Sequence, residues 1–284
     1  MPPTAPGSAP APTTHDRHRL TAPRIPGLIT AMGRTRLPDG TDPPAAEDTW
    51  RAVLSQAELR RAGTFRLDAD RHQFQYTRWM LRTELSRLAP VAPRDWEFVL
   101  SPNGKPALHP RYALDIEFSL SHSAGICLIA LTRGRPVGID IQTCDALAAP
   151  DSVRRLVARC LSPEERAAVE HLPHPQRRDA VTQLWTLKEA YAKAVGLGLR
   201  LPFARIAFAA DGHAGITLRR TTHVPAPDHW HCHAPQAPTG FRIGVCAARP
   251  DPSRREQGEP GEPGESGEDA PSAARITARR AMPR

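Results

Sequence analysis

Hydrophobic and polar positions recur with two different periods along this chain, and the change of period separates predicted helices from predicted strands. Apolar residues at helical spacing over residues 69–88 predict a long helix. Residues 184–199 are rich in strong helix formers and predict a second helix, which ends at Gly196. Ser55 and Ser162 are each followed three residues later by glutamate, which is the capping-box pattern of a helix start.

Shorter segments predict strands, either because polar and apolar residues alternate or because the run is continuously apolar. Residues 126–131 are continuously apolar, which predicts a strand buried on both faces. The predicted strands are residues 27–32, 98–100, 118–123, 126–131, 137–142, 206–208, 215–218 and 241–248.

The strand over residues 137–142 carries a candidate functional carboxylate. A period of two places two isoleucines on one face and Gly138, Asp140 and Gln142 on the other. Because glycine has no side chain, Gly138 is expected to leave open space beside Asp140 that suits a ligand or a metal ion.

A faint internal repeat predicts the architecture. The two capping-box serines are 107 residues apart, from Ser55 to Ser162, and Trp79 and Trp185 begin similar tetrapeptides 106 residues apart. We therefore expect an α+β fold made of two similar halves, a pseudo-twofold internal duplication with the active site at their interface. The expected divisions are a disordered Pro-rich segment 1–24, an N-terminal half 25–136, a C-terminal half 137–248 and a disordered tail 249–284.

Charge and cysteine usage narrow the class of protein. The 284 residues contain 38 Lys and Arg against 30 Asp and Glu, a net charge of +8, which favours an anionic partner: nucleic acid, a phosphorylated small molecule or an acidic protein. The five cysteines form no C-x-x-C pair, which predicts reduced thiols in a cytoplasmic protein. No apolar run has the length of a membrane span. We expect a soluble protein that contacts no membrane.

A histidine-rich segment invites a zinc interpretation. Alternation places His229, His231 and His233 on one side of an extended segment, but no second ligand pair stands at finger spacing. A half-exposed strand is the better interpretation.

The helix over residues 184–199 carries charged residues with two interpretations. Glu189 and Lys193 are four residues apart and therefore share a face. Taken alone, they are typical of a surface ion pair.

Two motifs decide between these interpretations. Val137-Gly138-Ile139-Asp140 and the later segment Trp185-Thr186-Leu187-Lys188-Glu189-Ala190-Tyr191-Ala192-Lys193-Ala194-Val195-Gly196 resemble the signatures of the Sfp-type 4′-phosphopantetheinyl transferases, in the subgroup with W-x-x-K-E-A. The two motifs stand in family order, 45 residues apart from Asp140 to Trp185. The resemblance covers roughly residues 54–245.

The resemblance implies an enzyme that transfers phosphopantetheine from coenzyme A to a serine of an apo acyl or peptidyl carrier protein and releases 3′,5′-ADP. It implies Mg²⁺ as cofactor, held by Asp140 and Glu189, with Glu189 also the base for the carrier serine. Lys193 is expected to contact the diphosphate. Lys188 points about 100° away from Glu189 on a helical wheel, and a structural ion pair is an equal alternative for it.

The same resemblance implies a nucleotide site in the N-terminal half. Lys105 and the pair Ser121 and His122 match family positions that hold the nucleotide and its 3′-phosphate, with the histidine protonated. Arg71 and Arg78 are further candidates by position, although a solvated helix face is the alternative for each.

Two positions depart from the family pattern. Gln142 stands where a third metal-site glutamate is common, so its amide oxygen is expected to ligate Mg²⁺ or orient a bound water, with one negative charge fewer. Ser119 stands where asparagine is common.

Two alternatives from other classes stay open: a catalytically silent module that binds coenzyme A or carrier proteins, and a basic protein whose tails bind nucleic acid. The absence of a nucleic-acid motif disfavours the second. Two similar halves in one chain favour a monomer, because the second half supplies the interface for which a single half would need a second subunit.

Overall fold

The computed structural model describes residues 25, 27–35, 47–210, 216–222 and 226–251. The predicted disordered segment 1–24 and all but three residues of the predicted tail 249–284 lie outside these ranges. The helices are α1 (Glu47–Arg51), α2 (Gln56–Ala62), α3 (Asp68–Leu88), α4 (Pro150–Cys160), α5 (Pro163–Glu170) and α6 (His174–Val195). The strands are β1 (Ile29–Arg34), β2 (Phe98–Leu100), β3 (Pro106–Leu108), β4 (Ile116–Ser123), β5 (Ile126–Arg133), β6 (Val137–Thr143), β7 (Ala207–Ala210), β8 (Ile216–Arg220), β9 (Trp230–His233) and β10 (Phe241–Ala248).

These elements form an α+β fold, as predicted. One antiparallel sheet has the order β1-β5-β4, a second has the order β6-β10-β9-β8-β7, and β2 and β3 form a separate hairpin. Among the described residues, no helix combines the length and the apolar character that crossing a membrane requires.

Alternating side chains arrange the sheets and long helices in four layers. On β5, Cys127, Ile129 and Leu131 pack against the α3 side of their sheet. Residues between them on β5 pack instead with β6 and β10. The two sheets therefore lie face to face over a shared apolar core, with α3 outside one sheet and α6 outside the other.

Three serines of β4 join the two sheets along one line. The hydroxyls of Ser119, Ser121 and Ser123 accept hydrogen bonds from alternate backbone N–H groups of β6, at 3.1–3.2 Å. Alternate N–H groups of a strand point to the same side, and here that side is the one away from β10. Each serine therefore satisfies an N–H group of β6 that β10 does not reach. The donors are Ile139, Ile141 and Thr143. This serine seam, defined by Ser119, Ser121 and Ser123, is where the two halves meet.

Most predicted elements are confirmed, and their limits differ by a few residues except at the start of the second long helix. The helix over residues 69–88 is α3, and both capping boxes are formed, by Ser55 on α2 and by Ser162 on α5. The second long helix ends at Gly196 as predicted, because that residue adopts φ 74°, a left-handed conformation that favours glycine. It begins at His174, ten residues before the predicted start.

Candidate active site

Two glycines let helix α6 lie directly on strands β6 and β10. A Cβ atom at Gly138 would come within 1.8 Å of the Ala190 carbonyl oxygen, and one at Gly244 within 2.6 Å of the Thr186 carbonyl oxygen. Gly138 was expected to leave open space beside Asp140. That expectation is wrong, because the α6 backbone fills the space. The glycines instead bring the helix close enough for its side chains to reach Asp140.

Asp140 is the centre of a buried polar cluster and is only 2% exposed. Its Oδ1 accepts hydrogen bonds from the Ser121 hydroxyl and from the Lys193 ammonium group, both at 2.7 Å. The Gln142 side-chain amide donates to Oδ2 at 3.2 Å. Both carboxylate oxygens therefore have donors, which compensates for the burial of the charge.

Lys193 connects the two halves at this cluster. Besides Asp140, its ammonium group donates to the backbone carbonyls of Leu120 at 3.2 Å and Ile139 at 3.1 Å. Leu120 lies on β4 and Ile139 on β6, so one side chain contacts both strands beside the serine seam. The Lys193 side chain is 29% exposed, which leaves part of it open to a ligand.

Glu189 lies one turn before Lys193 on α6 and has a strongly perturbed acidity. Burial, followed by repulsion from the Asp140 carboxylate, raises the pKa of Glu189 to about 7, while Lys193 acts in the opposite direction. This carboxyl therefore exchanges its proton near neutral pH, which is the property required of a general base.

The two carboxyl groups suit a hard divalent cation. After burial, repulsion from Asp140 contributes to the raised pKa of Glu189, and a bound cation would relieve that repulsion. Both supply oxygen ligands, the type that Mg²⁺ prefers. Gln142 lies beside them, but in the described conformation its amide N–H₂ faces Asp140. The residues present thus fit Mg²⁺ with two carboxylates and an adjacent amide.

Ser121 and His122 take different positions at the end of β4. The Ser121 hydroxyl donates to Asp140 and accepts from the Ile141 N–H, so its hydrogen-bonding capacity is largely used within the protein. His122 is exposed. Even so, partial desolvation of its ring, followed by the positive charge of Lys193, lowers the pKa of His122. The lowered pKa disfavours the protonated histidine that we expected, and the phosphate-binding role of both residues stays a prediction.

A cavity of about 260 Å³ opens beside Lys193, between the β2–β3 hairpin, β4 and the end of α6. Lys105, on the hairpin, lines it together with Leu120 and Gly196. The Lys105 ammonium group is 3.0 Å from the Glu117 carboxylate, and both side chains keep some exposure. The structure thus brings Lys105 and Lys193 to one cavity.

Arg71 and Arg78 have their described contacts elsewhere. Arg71 pairs with Asp68, one turn away on α3, at 2.7 Å. Arg78 lies 3.8 Å from Glu58 and packs its guanidinium over Phe74. A nucleotide-binding role for either arginine stays a prediction.

Sequence reasoning did not identify the partner of Lys188. Its ammonium group is fully buried, pairs with Glu165 at 2.7 Å and donates to the carbonyls of Phe203 and Ile206. Glu165 also completes the Ser162 capping box. The structural ion pair, one of two alternatives for Lys188, is therefore the observed arrangement, and it fixes α6 immediately beside Glu189.

The N-terminal half contains a counterpart of this ion pair. Buried Arg82 binds Glu58 at 2.6 Å, and Glu58 completes the Ser55 capping box. The offsets, 107 from Glu58 to Glu165 and 106 from Arg82 to Lys188, match those of the faint sequence repeat. The repeat relates the two ion pairs, so it would point to Glu165 once the Arg82–Glu58 pair is known.

The histidine-rich segment lies largely on one strand. The segment Trp230–His233 is strand β9, as predicted, and no cluster of three or more metal-ligating side chains occurs within the described ranges.

Comparisons with known proteins agree on one family. Residues 136–246, which contain both motifs, match the profile of the 4′-phosphopantetheinyl transferase superfamily. The chain is 35% identical to the 4′-phosphopantetheinyl transferase HetI of Nostoc sp. over 149 residues, 52% of this chain and 62% of HetI. It is 33% identical to a putative 4′-phosphopantetheinyl transferase of Synechocystis sp. over 150 residues, 53% of this chain and 60% of that relative. The chain thus spans about three fifths of these two relatives.

Other relatives match over a longer stretch or by structure. A 4′-phosphopantetheinyl transferase of Bacillus subtilis is 28% identical over 210 residues, 72% of this chain and 87% of that relative. A solved holo-(acyl-carrier-protein) synthase from Bacillus anthracis in complex with CoA (3′,5′-ADP) aligns with 40% of this chain and 94% of its own, at a TM-score of 0.34 and 23% identity.

Proposed function

We propose that the chain transfers 4′-phosphopantetheine from coenzyme A to a serine of an apo carrier protein, because residues 136–246 match the profile of the 4′-phosphopantetheinyl transferase superfamily. The observation that carries the proposal is that Glu189 and Asp140 are close enough to repel each other, while Lys193 joins Asp140 to a cavity that Lys105 also lines. These residues supply a base, a cation site and fixed positive charges, which are the requirements of phosphoryl transfer to a hydroxyl group.

Glu189 is the proposed general base. Its carboxylate accepts the proton of the carrier serine as the serine oxygen attacks the phosphorus atom that bears the pantetheine arm. In the metal-free protein the pKa of Glu189 is about 7, so its carboxylate is basic enough to take a proton near neutral pH, and a bound cation would lower this pKa. The leaving group is 3′,5′-ADP.

Asp140 and Glu189 are the proposed Mg²⁺ ligands, with Gln142 as a neighbouring amide. When bound, Mg²⁺ supplies positive charge that polarises the diphosphate and neutralises the leaving group. The chain's own contribution is to hold Asp140 rigidly, through the hydroxyl of Ser121 and the ammonium group of Lys193.

Lys193 and Lys105 are the proposed contacts of coenzyme A. Lys193 faces the cavity within reach of a diphosphate placed beside Asp140, and its contacts with Leu120 and Ile139 orient it before the substrate arrives. Lys105 is placed to bind the nucleotide portion. Residues 25–136 thus serve as the nucleotide-binding half, and residues 137–248 as the half that carries the metal site and the catalytic helix.

The proposed partner is an acidic acyl or peptidyl carrier protein of polyketide, nonribosomal peptide or fatty acid synthesis. A net charge of +8 favours encounter with such a partner by electrostatic steering. We further propose that the enzyme works in the cytoplasm as a monomer, because the halves 25–136 and 137–248 form the site within one chain.

The test is incubation of the purified chain with coenzyme A, Mg²⁺ and a panel of apo carrier proteins, followed by intact-mass spectrometry of each carrier. We expect a phosphopantetheine adduct on at least one carrier, and none when its acceptor serine is replaced by alanine. Binding of coenzyme A without any adduct across the panel would instead identify a catalytically silent binding module.

A further inference from the structure

Two cysteines face each other on neighbouring strands of the larger sheet. Cys232 on β9 and Cys246 on β10 are direct partners in the antiparallel register, and their Sγ atoms are 2.8 Å apart. We propose that Cys232 and Cys246 form a modification site that a hydroperoxide oxidises to an intrachain disulfide. The proposal goes beyond the transferase function and does not depend on it.

The backbone geometry already meets the requirements of a disulfide. Directly opposite residues of an antiparallel pair have Cα atoms about 4.5–5.5 Å apart, and disulfides span Cα separations of about 4.4–6.8 Å with an S–S bond of about 2.05 Å. The two sulfur atoms therefore need to approach by less than about 1 Å. Side-chain rotation achieves this without a change of strand register.

The two thiols differ in accessibility, which sets the order of their reactions. Cys232 is partly exposed, whereas Cys246 is fully buried. Burial, reinforced by the neighbouring Cys232, raises the pKa of Cys246 well above its ordinary value, so Cys246 stays protonated. Since the thiolate is the form that reacts with peroxide, Cys232 reacts first.

The oxidation needs no reagent besides the hydroperoxide. The Cys232 thiolate attacks one oxygen of hydrogen peroxide, so an S–O bond forms, the O–O bond breaks and one water leaves after protonation. The Cys246 sulfur then attacks the Cys232 sulfur, an S–S bond forms, the S–O bond breaks, and hydroxide takes the Cys246 proton to leave as a second water. Two thiols lose two electrons in total, and the peroxide gains them.

The new bond would lie beneath the proposed catalytic helix. The Cys246 Sγ is 3.8 Å from the carbonyl oxygen of Leu187, two residues before Glu189. On its other side, Cys246 pairs with Gly138 of β6. A disulfide therefore links β9 to the strand that supports α6, and it closes the chain between the two cysteines.

The experiment exposes the reduced full-length chain to hydrogen peroxide, blocks remaining thiols with an alkylating reagent and digests the product with trypsin. Arg242 lies between the two cysteines, so digestion separates them unless a disulfide joins their peptides. We expect a Cys232–Cys246 linked peptide pair, loss of two of the five thiols, and a rise in Tm of about 5 °C or more that dithiothreitol reverses.

Two variants serve as controls. Cys232→Ser, at the partly exposed position, is expected to lose no thiols under the same treatment, because the remaining partner is buried. Cys160→Ser is expected to keep the linked peptide pair, since Cys160 is the last residue of α4 and lies on neither β9 nor β10. A natively folded protein that forms no such pair, or that links other cysteines, would overturn the proposal.

Discussion

Replacing Glu189 by glutamine should stabilise the metal-free protein at alkaline pH while it removes the proposed base. Burial and the Asp140 carboxylate both disfavour the ionised form of Glu189 and raise its pKa to about 7, against an ordinary value of 4.5. The folded protein therefore holds this proton more tightly than the unfolded chain does. Stability that is fully present below about pH 4.5 is lost as the pH rises through about 7.

The shift from 4.5 to about 7 sets the size of the effect. At about 1.4 kcal/mol per pKa unit, this shift means that ionising Glu189 would destabilise the folded protein by roughly 3 kcal/mol if the side chain were completely buried. Because the side chain is partly exposed, solvent screening reduces this to roughly 2 kcal/mol. Glutamine stays neutral at every pH, so Glu189→Gln should be more stable than the wild type by roughly this amount at alkaline pH. For a folded region of this size the gain corresponds to roughly 4–8 °C in Tm.

The assay is thermal unfolding with a metal chelator, at about pH 5 and about pH 8.5. The wild type and Glu189→Gln should have similar Tm values at the lower pH and diverge at the higher one, with the variant more stable. Glu170→Gln, at an exposed position on α5, is the matched control and should show no such divergence. A Tm difference between wild type and Glu189→Gln that does not change with pH would refute the raised pKa of Glu189.

Three further predictions concern the packing and the metal site around α6. Gly138→Ala should lower the free energy of unfolding by roughly 3 kcal/mol or more in urea denaturation, because its Cβ would clash with α6. The control Gly63→Ala should be nearly neutral, because a Cβ there makes only ordinary contacts. Equal effects of the two substitutions would contradict the close packing of α6 on β6. Lys188→Met should lower the free energy of unfolding by about 3–5 kcal/mol, because it leaves the buried Glu165 carboxylate without its counter-ion. Adding Glu165→Gln to this variant should recover part of the loss. If the effects of the two substitutions on stability were additive, they would exclude the ion pair. Mg²⁺ should raise the Tm of the wild type but not of Asp140→Asn, and an equal rise in both would remove Asp140 from the metal site.

Local sequence signals predicted the elements well because their causes are local. The capping boxes of Ser55 and Ser162 need only a glutamate three residues on, and both are formed. Gly196 ends α6 because the left-handed conformation there favours glycine. The alternation over residues 137–142 likewise placed Asp140 on the face opposite the two isoleucines, where α6 now lies.

The arrangement of these elements was less accessible, because it depends on contacts between distant residues. Position 138 requires glycine because α6 packs closely onto β6 there. Strand periodicity does not reveal this close approach. Ser121 is predicted to bind phosphate from its motif position, and that pattern did not reveal that its hydroxyl also lies in the serine seam and binds Asp140. Glu165 became recognisable as the partner of Lys188 only once the fold had brought α5 and α6 together.

We propose that Glu189 and Asp140 act in the transfer of phosphopantetheine to a carrier serine, and this transfer yields two products that one reaction can quantify together. In a single reaction with coenzyme A, Mg²⁺ and an apo carrier protein, mass spectrometry quantifies the modified carrier and chromatography quantifies 3′,5′-ADP. We predict equal amounts of the two products from the wild type and neither product from folded Glu189→Gln. Equal product formation by Glu189→Gln, or 3′,5′-ADP released without carrier modification, would contradict the account.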